Sequence, residues 1–149
     1  MAEIFLNGID KHFGEIHALD NVSFNIGDQE FVTLLGPTGA GKTTTLRCIV
    51  GLEKLDAGTV FVDGEDFTAL PPGQRNMAFV SQHYALYPHL TVYKNLQFPL
   101  NKMGLTSSEK KDKIERISKL LHIEPLLKRH PDKLSGGEMQ RVVIGRAMV

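Results

Sequence analysis

Hydrophobic and polar positions follow a short period through the first eighty residues and a longer one afterwards. Val22, Phe24 and Ile26 alternate with Ser23 and Asn25, the two-residue period of a strand with one buried face. Phe31 to Leu35 is a nearly continuous apolar run, which predicts a strand covered on both faces in a parallel sheet. Thr59 to Val62 runs into Asp63-Gly64, a hairpin signal, because left-handed turn angles are cheapest for Gly, Asp and Asn; an antiparallel flap is expected. Met77 to Val80 predicts another short strand, entered after Pro71-Pro72-Gly73 and ending at Ser81-Gln82, so Gln82 falls at a strand end. Leu46, Ile49 and Val50 take up helical spacing, with Gly51 placed as a stop. Thr106 with Glu109 forms a capping-box pattern ahead of Ile114, Ile117, Leu120 and Leu121. Ser135 with Glu138 repeats it ahead of Met139, Val142, Val143 and Ala147.

Between the Phe31 run and the Leu46 helix lies Gly36-Pro37-Thr38-Gly39-Ala40-Gly41-Lys42-Thr43, which satisfies the phosphate-loop pattern G-x-x-x-x-G-K-[ST] in its confirming strand-to-helix context. Glycines let the backbone curl until successive N–H groups point at one anion, and the helix N-terminus adds unpaired amides and a positive dipole end. Hydrogen bonds to a charged group contribute about 1.5–3 kcal/mol each, so four or five amides suffice to hold a triphosphate. Lys42 is expected to reach the β- and γ-phosphates and the Thr43 hydroxyl to ligate Mg²⁺. The loop alone does not separate one class of nucleotide-binding protein from another.

Composition narrows the partners more than the chemistry. The 149 residues are 42% hydrophobic and 23% charged, the make-up of a soluble globular chain. Seventeen basic and seventeen acidic residues cancel, leaving no global field to draw the chain to nucleic acid or an anionic membrane, and no nucleic-acid partner is expected. Cys48 is the single cysteine and reads as a small buried hydrophobe. No run approaches the roughly 18–20 apolar residues of a membrane span and the N-terminus has no leader pattern, so a cytoplasmic location is expected. Lys110 to Lys113 reads as a solvated helix face.

Leu134-Ser135-Gly136-Gly137-Glu138-Met139-Gln140-Arg141 carries the discriminating chemistry: two glycines open a capped helix, so bare amides and the Ser135 hydroxyl can take an anion. The segment resembles the LSGGQ signature of ATP-binding cassette (ABC) ATPases. That resemblance implies an α/β phosphate-loop NTPase fold. A RecA-like core with an antiparallel β flap would span 1–86, and the start of the helical subdomain with its signature helix would span 87–149. Together these would be the N-terminal part of one nucleotide-binding domain. It implies ATP and Mg²⁺ as ligands, held by the loop from Gly36 to Thr43 with Thr44 following. Ser135, Gly136 and Gly137 would grip the γ-phosphate held by a second ATPase subunit, giving two sites shared across a two-fold dimer.

Three further segments extend the resemblance in order and spacing. Phe13-Gly14 resembles the A-loop, whose ring stacks on adenine; apart from the family, Phe13 reads as a core ring. Gln82 resembles the Q-loop glutamine, which approaches Mg²⁺ and the attacking water, and it joins Lys42 as a catalytic candidate. Read alone, Gln82 is a solvated turn residue. Tyr84-Ala85-Leu86-Tyr87-Pro88-His89-Leu90-Thr91-Val92 resembles the matching stretch of importer ATPases of the maltose and glycerol-phosphate type, a docking surface for transmembrane permease subunits or else a packed corner.

The departures from the family pattern are Glu138 in place of the signature glutamine and Ser81 where Phe often precedes the Q-loop glutamine. Family members also continue with an apolar strand ending in Asp-Glu, a D-loop and a switch histidine. The chain stops short of these and is expected to be a fragment with reduced ATPase activity, its sheet lacking the strand beside Phe31 to Leu35. The resemblance implies an importer ATPase subunit for a sugar or similar polar solute, held at the inner face of the cell membrane by its permease. The alternatives are a soluble ABC ATPase without a membrane partner and a nucleotide-binding fragment that does not turn over ATP. The zero net charge and the Tyr84 to Val92 stretch stand against the first of these.

Overall fold

The computed structural model describes residues 2–149, which divide into two compact units, the first ending at Met77 and the second beginning at Ala78. The first unit is built on a four-stranded antiparallel sheet ordered β2-β1-β3-β4. Strand β1 (Ile4–Phe13) lies between β2 (Ile16–Ile26) and β3 (Ala57–Val62), and β4 (Glu65–Asp66) closes the edge. Leu6 faces Phe24 on one side and Val60 on the other. A register shift between Leu6 and Ile9 turns Ile9 to the same face, so both side chains are fully buried three residues apart. The expected Asp63-Gly64 turn forms, with φ of 50° and 80°, the pair of positive angles that a tight hairpin requires.

Helix α1 (Lys42–Ile49) lays Thr45, Cys48 and Ile49 against this sheet's core of Leu6, Ile9, Leu19 and Val60. The buried face is therefore one step from the expected one, and Leu46 is 46% exposed. Cys48 is 1% exposed, as expected of a small hydrophobe, and burial pushes its thiol pKa up and away from reactivity. Two expected strands are absent among the described residues: Phe31 to Leu35 and Met77 to Val80 adopt no regular structure. Phe31 is 95% exposed and Leu35 88%. A parallel strand exists only where neighbours take up its backbone groups, and the sheet that does form uses none of these residues.

The second unit is helical. α2 (Val92–Leu100), α3 (Ser107–Leu120) and α4 (Gly136–Met148) enclose Leu96, Leu100, Ile114, Ile123, Val142 and their neighbours. Each fully buried Leu or Ile contributes about 1.5–3 kcal/mol relative to exposure, and both expected capping boxes are present. On α3 the inward row is Ile114, Ile117, Ser118 and Leu121, the i, i+3, i+4, i+7 set; Leu120 falls outside it and is 61% exposed. On α4, Val142, Val143 and Gly145 are buried whereas Ala147 is not. A Cβ at Gly145 would lie 3.2 Å from side-chain carbons of Leu96 and Leu121, so the glycine sets how closely α4 approaches its neighbours. No described helix is long and apolar enough to cross a membrane.

Candidate functional site

The phosphate loop ends at Gly41, whose φ of 75° places it in the left-handed region. A Cβ there would lie 2.6 Å from the Ala18 carbonyl oxygen of β2, so only glycine lets the loop rest on the strand. α1 starts at once with Lys42, and no side chain caps it. The Lys42 ammonium folds back across its own loop, donating to the carbonyls of Gly36 at 2.8 Å and Pro37 at 2.6 Å. Thr45, nearly buried, donates its hydroxyl to the Gly41 carbonyl at 3.0 Å and fixes the first turn from below. The amides of Lys42, Thr43 and Thr44 head the helix and have no preceding turn to bond. The loop thus offers the leading amides of α1, the Lys42 ammonium held over its own carbonyls, and an exposed Thr43 at its edge. That donor set fits the phosphates of a nucleotide. A divalent cation would take the Thr43 hydroxyl as a protein ligand beside phosphate and water.

A cleft of about 510 Å³ opens beside the loop, lined by Gly39, Ala40 and Lys42 together with His17, Ala18 and Asp20 of β2. Phe13 ends β1 opposite Ile16. Its ring is 44% exposed, with the Lys11 ammonium 5.2 Å from its centroid. It is therefore a hairpin-tip ring rather than a core ring, with area free for stacking. The same hairpin stacks His12 on His17 at 3.9 Å between centroids. The His17 ring nitrogen lies 2.9 Å from the Asp10 carboxylate and, with the Asn21 amide, holds that carboxyl below the usual range. Sequence reading missed this cluster, because a register shift between Lys11 and His12 aligns residues that simple alternation would separate.

In the second unit, Ser135 is the N-cap of α4. Its hydroxyl accepts from the Glu138 amide at 3.3 Å, and the Glu138 carboxylate accepts from the Ser135 amide at 2.8 Å. A hydroxyl that accepts still has its own proton to donate. Gly136 and Gly137 are exposed, neither has positive φ, and a Cβ on either would meet nothing within 4 Å. Nothing in the packing of the described residues requires these two glycines, and at the head of α4 their amides have no preceding turn to bond. Glu138 is held ionised below its ordinary pKa, first by the Ser135 backbone bond, and Arg129 sits 3.8 Å away.

Gln82 is exposed in a turn, not at the end of a strand, because the segment before it forms no strand. Just beyond it Tyr84 and Ala85 have φ of 58° and 30°, conformations that cost non-glycine residues about 1–2 kcal/mol each. The stretch from Tyr84 to Val92 is both packed and presented. Leu86 joins the helical core, while buried Asn95 accepts from the Tyr87 amide at 2.8 Å and donates toward the carbonyls of Tyr87, Leu90 and Thr91 at 3.1 Å each. Tyr87 then packs on Phe98 at 4.6 Å and lies under the Arg146 guanidinium, at the edge of a groove that also takes in Ala78, Phe79 and Val143. Asn95 was the missed residue; a Thr91 cap followed by Val92, Leu96 and Leu100 was the available signal for α2.

Residues 19–149 match the model of the ABC transporter family. The xylose/arabinose import ATP-binding protein XacJ of Haloferax volcanii is 44% identical over all of the chain, which spans 39% of that relative. The sn-glycerol-3-phosphate import ATP-binding protein UgpC 1 of Rhizobium johnstonii is 42% identical, again over the whole chain and 40% of the relative. The chain thus spans about 40% of the length of these curated relatives. Among solved structures, the dimeric bacterial ABC transporter cassette MJ0796 superposes with a TM-score of 0.87 at 34% identity, covering 97% of this chain and 68% of that one. A post-hydrolysis state of the same cassette, bound to ADP and Pi, gives a TM-score of 0.86 at 33% identity.

Proposed function

Because this chain belongs to the ABC transporter family, we propose that it is the ATP-binding part of an importer's ATPase subunit, coupling ATP binding and hydrolysis to uptake of a sugar or similar polar solute. The observation that carries this reading is the loop from Gly36 to Thr43, where the left-handed Gly41 leads straight into the uncapped start of α1 and the Lys42 ammonium folds back over the loop. On this reading residues 1–86 are the phosphate-loop core and β flap and 87–149 the helical subdomain with its signature helix. Lys42 exchanges its two carbonyl partners for phosphate oxygens, and the amides of Gly39 to Thr44 complete the cradle. Phe13 stacks on the base, and the Thr43 hydroxyl and Gln82 approach Mg²⁺. Ser135, Gly136 and Gly137 donate to the terminal phosphate held by a second copy, closing a two-fold dimer. Bound MgATP supplies the phosphoryl group, and the protein contributes position and charge.

The relatives' names support a polar-solute importer. The Tyr87–Phe98 corner, apolar and rimmed by Arg146, supports contact with permease subunits at the inner face of the membrane. In the full-length protein, Lys42→Ala is expected to weaken a fluorescent ATP analogue at least 100-fold and abolish turnover. Unchanged affinity and turnover would remove the site assignment.

A further inference from the structure

Arg75 is 5% exposed, yet it makes no ion pair with a carboxylate among the described residues, and burial lowers its pKa. All its hydrogen bonds run to main-chain carbonyls: Nε to Leu70 at 2.9 Å, Nη1 to Cys48 at 3.0 Å and Ile49 at 2.7 Å, and Nη2 to Thr68 at 3.1 Å. The carbonyls of Cys48 and Ile49 end α1, where the helix dipole is negative and a buried cation is favoured. The other two belong to the arm after β4. That arm is itself tied to the sheet, the Thr68 hydroxyl accepting from the Val60 amide at 2.9 Å and the Thr68 amide bonding Asp66 at 2.8 Å. The turn Pro72–Gln74 places Arg75 at its end. Gly51, with φ of 76°, leaves room for the guanidinium, since a Cβ there would lie 2.5 Å from Nε.

Helix α1 has only eight residues, a rod of about 12 Å. Its front end rests on Ala18 through Gly41, and its back end is held by Arg75. A displacement of the back tilts the amides at the front. We infer that Arg75 is a positioning residue for the phosphate loop, its four-carbonyl fork fixing the angle at which the first amides of α1 meet a nucleoside triphosphate. This rests on the reading of the loop as the nucleotide site. A lysine at 75 keeps the charge but cannot span four carbonyls in one plane.

The test is Arg75→Lys in the full-length protein, with circular dichroism to confirm folding, titration with a fluorescent ATP analogue, and steady-state ATPase kinetics. ATP affinity is expected to fall at least fivefold and KM to rise in step, with kcat at saturating ATP within twofold, the signature of lost uniform binding. Gly51→Ala, which crowds the fork without removing the cation, is expected to give the same split. A lower unfolding temperature with ATP affinity and KM within twofold of wild type overturns the inference, since a merely structural role predicts that result. Lys42→Ala run in parallel separates the two failures. Lost binding there with none in Arg75→Lys overturns the role of Arg75 alone, whereas normal binding in both overturns the nucleotide reading as well.

Discussion

At the head of α1 the cap position is Gly41, left-handed and with no side chain to accept a hydrogen bond; at the head of α4 it is Ser135, whose hydroxyl and partner Glu138 complete a reciprocal capping box. The first turn of α1 holds no acidic residue and opens with Lys42, a cation at the positive end of a helix, whereas that of α4 carries Glu138. Local rules are therefore broken at one helix and obeyed at the other. α1 leaves several leading amides without a partner in the chain and a cation that only its own loop carbonyls accept, so its helix start is better suited to an anion than to a stable terminus. α4 is stable on its own account, and what remains unexplained there is confined to Gly136 and Gly137.

The sharpest way to break this comparison is Gly136→Asp. A carboxylate in the first turn of a helix is locally favourable, and a Cβ at Gly136 meets nothing within 4 Å, so the variant is expected to fold as well as wild type. On the proposed reading Gly136 faces the terminal phosphate of a second copy, where the same charge would repel. Steady-state ATPase and ATP-driven dimerisation of the full-length protein are expected to fall about 100-fold, close to 2.7 kcal/mol, with ATP affinity of the monomer's own loop within twofold. Wild-type turnover in this variant would reduce α4 to an ordinary capped helix.

The asymmetry between the two helix starts was legible in the sequence because it is local. Cap residues and the Asp63-Gly64 turn act within four residues of themselves, and both took the expected form. Phe31 to Leu35 and Met77 to Val80 were misread because an apolar run states a preference for burial without naming the strand that must pair with it. The exposure of Leu46 and Leu120 shows a smaller error, one step of helical phase. Arg75 and Asn95 were invisible for another reason. Each is a polar residue whose partners are main-chain groups, and a main-chain group leaves no mark in the sequence.

A middle-sized effect separates capping from ligand contact. The Thr106–Glu109 box at the head of α3 has the same geometry as the Ser135–Glu138 box but no glycines behind it. Thr106→Ala and Ser135→Ala are each expected to cost about 1 kcal/mol of stability, seen as a few degrees in the thermal midpoint. Only Ser135→Ala is expected to slow ATP turnover as well, about tenfold, through loss of a hydroxyl that the proposed reading places on a phosphate. Equal turnover in both variants would assign Ser135 to the cap alone.

The smallest expected effect concerns Glu138, which stands where the family signature has glutamine. Its carboxyl is held below its ordinary pKa by the Ser135 amide first and the Ser135 hydroxyl next, with Arg129 and Arg141 adding to the shift. A folded-state pKa below the unfolded one gives stability that is fully present above the unfolded value, roughly 4.3 for glutamate, and is lost as pH falls through the folded value. Glu138→Gln keeps an oxygen that accepts from the Ser135 amide but removes the charge. Its thermal midpoint is therefore expected to lie slightly below wild type from pH 7 down to the ordinary glutamate range, and the two curves are expected to converge as pH falls further, through the lowered folded-state value. Because Glu138 is only half-buried and its Arg129 contact is long, added salt is expected to narrow the gap at pH 7. A gap that stays constant down to pH 3 would mean that the carboxylate contributes shape and no charge, and that α4 is capped by geometry alone.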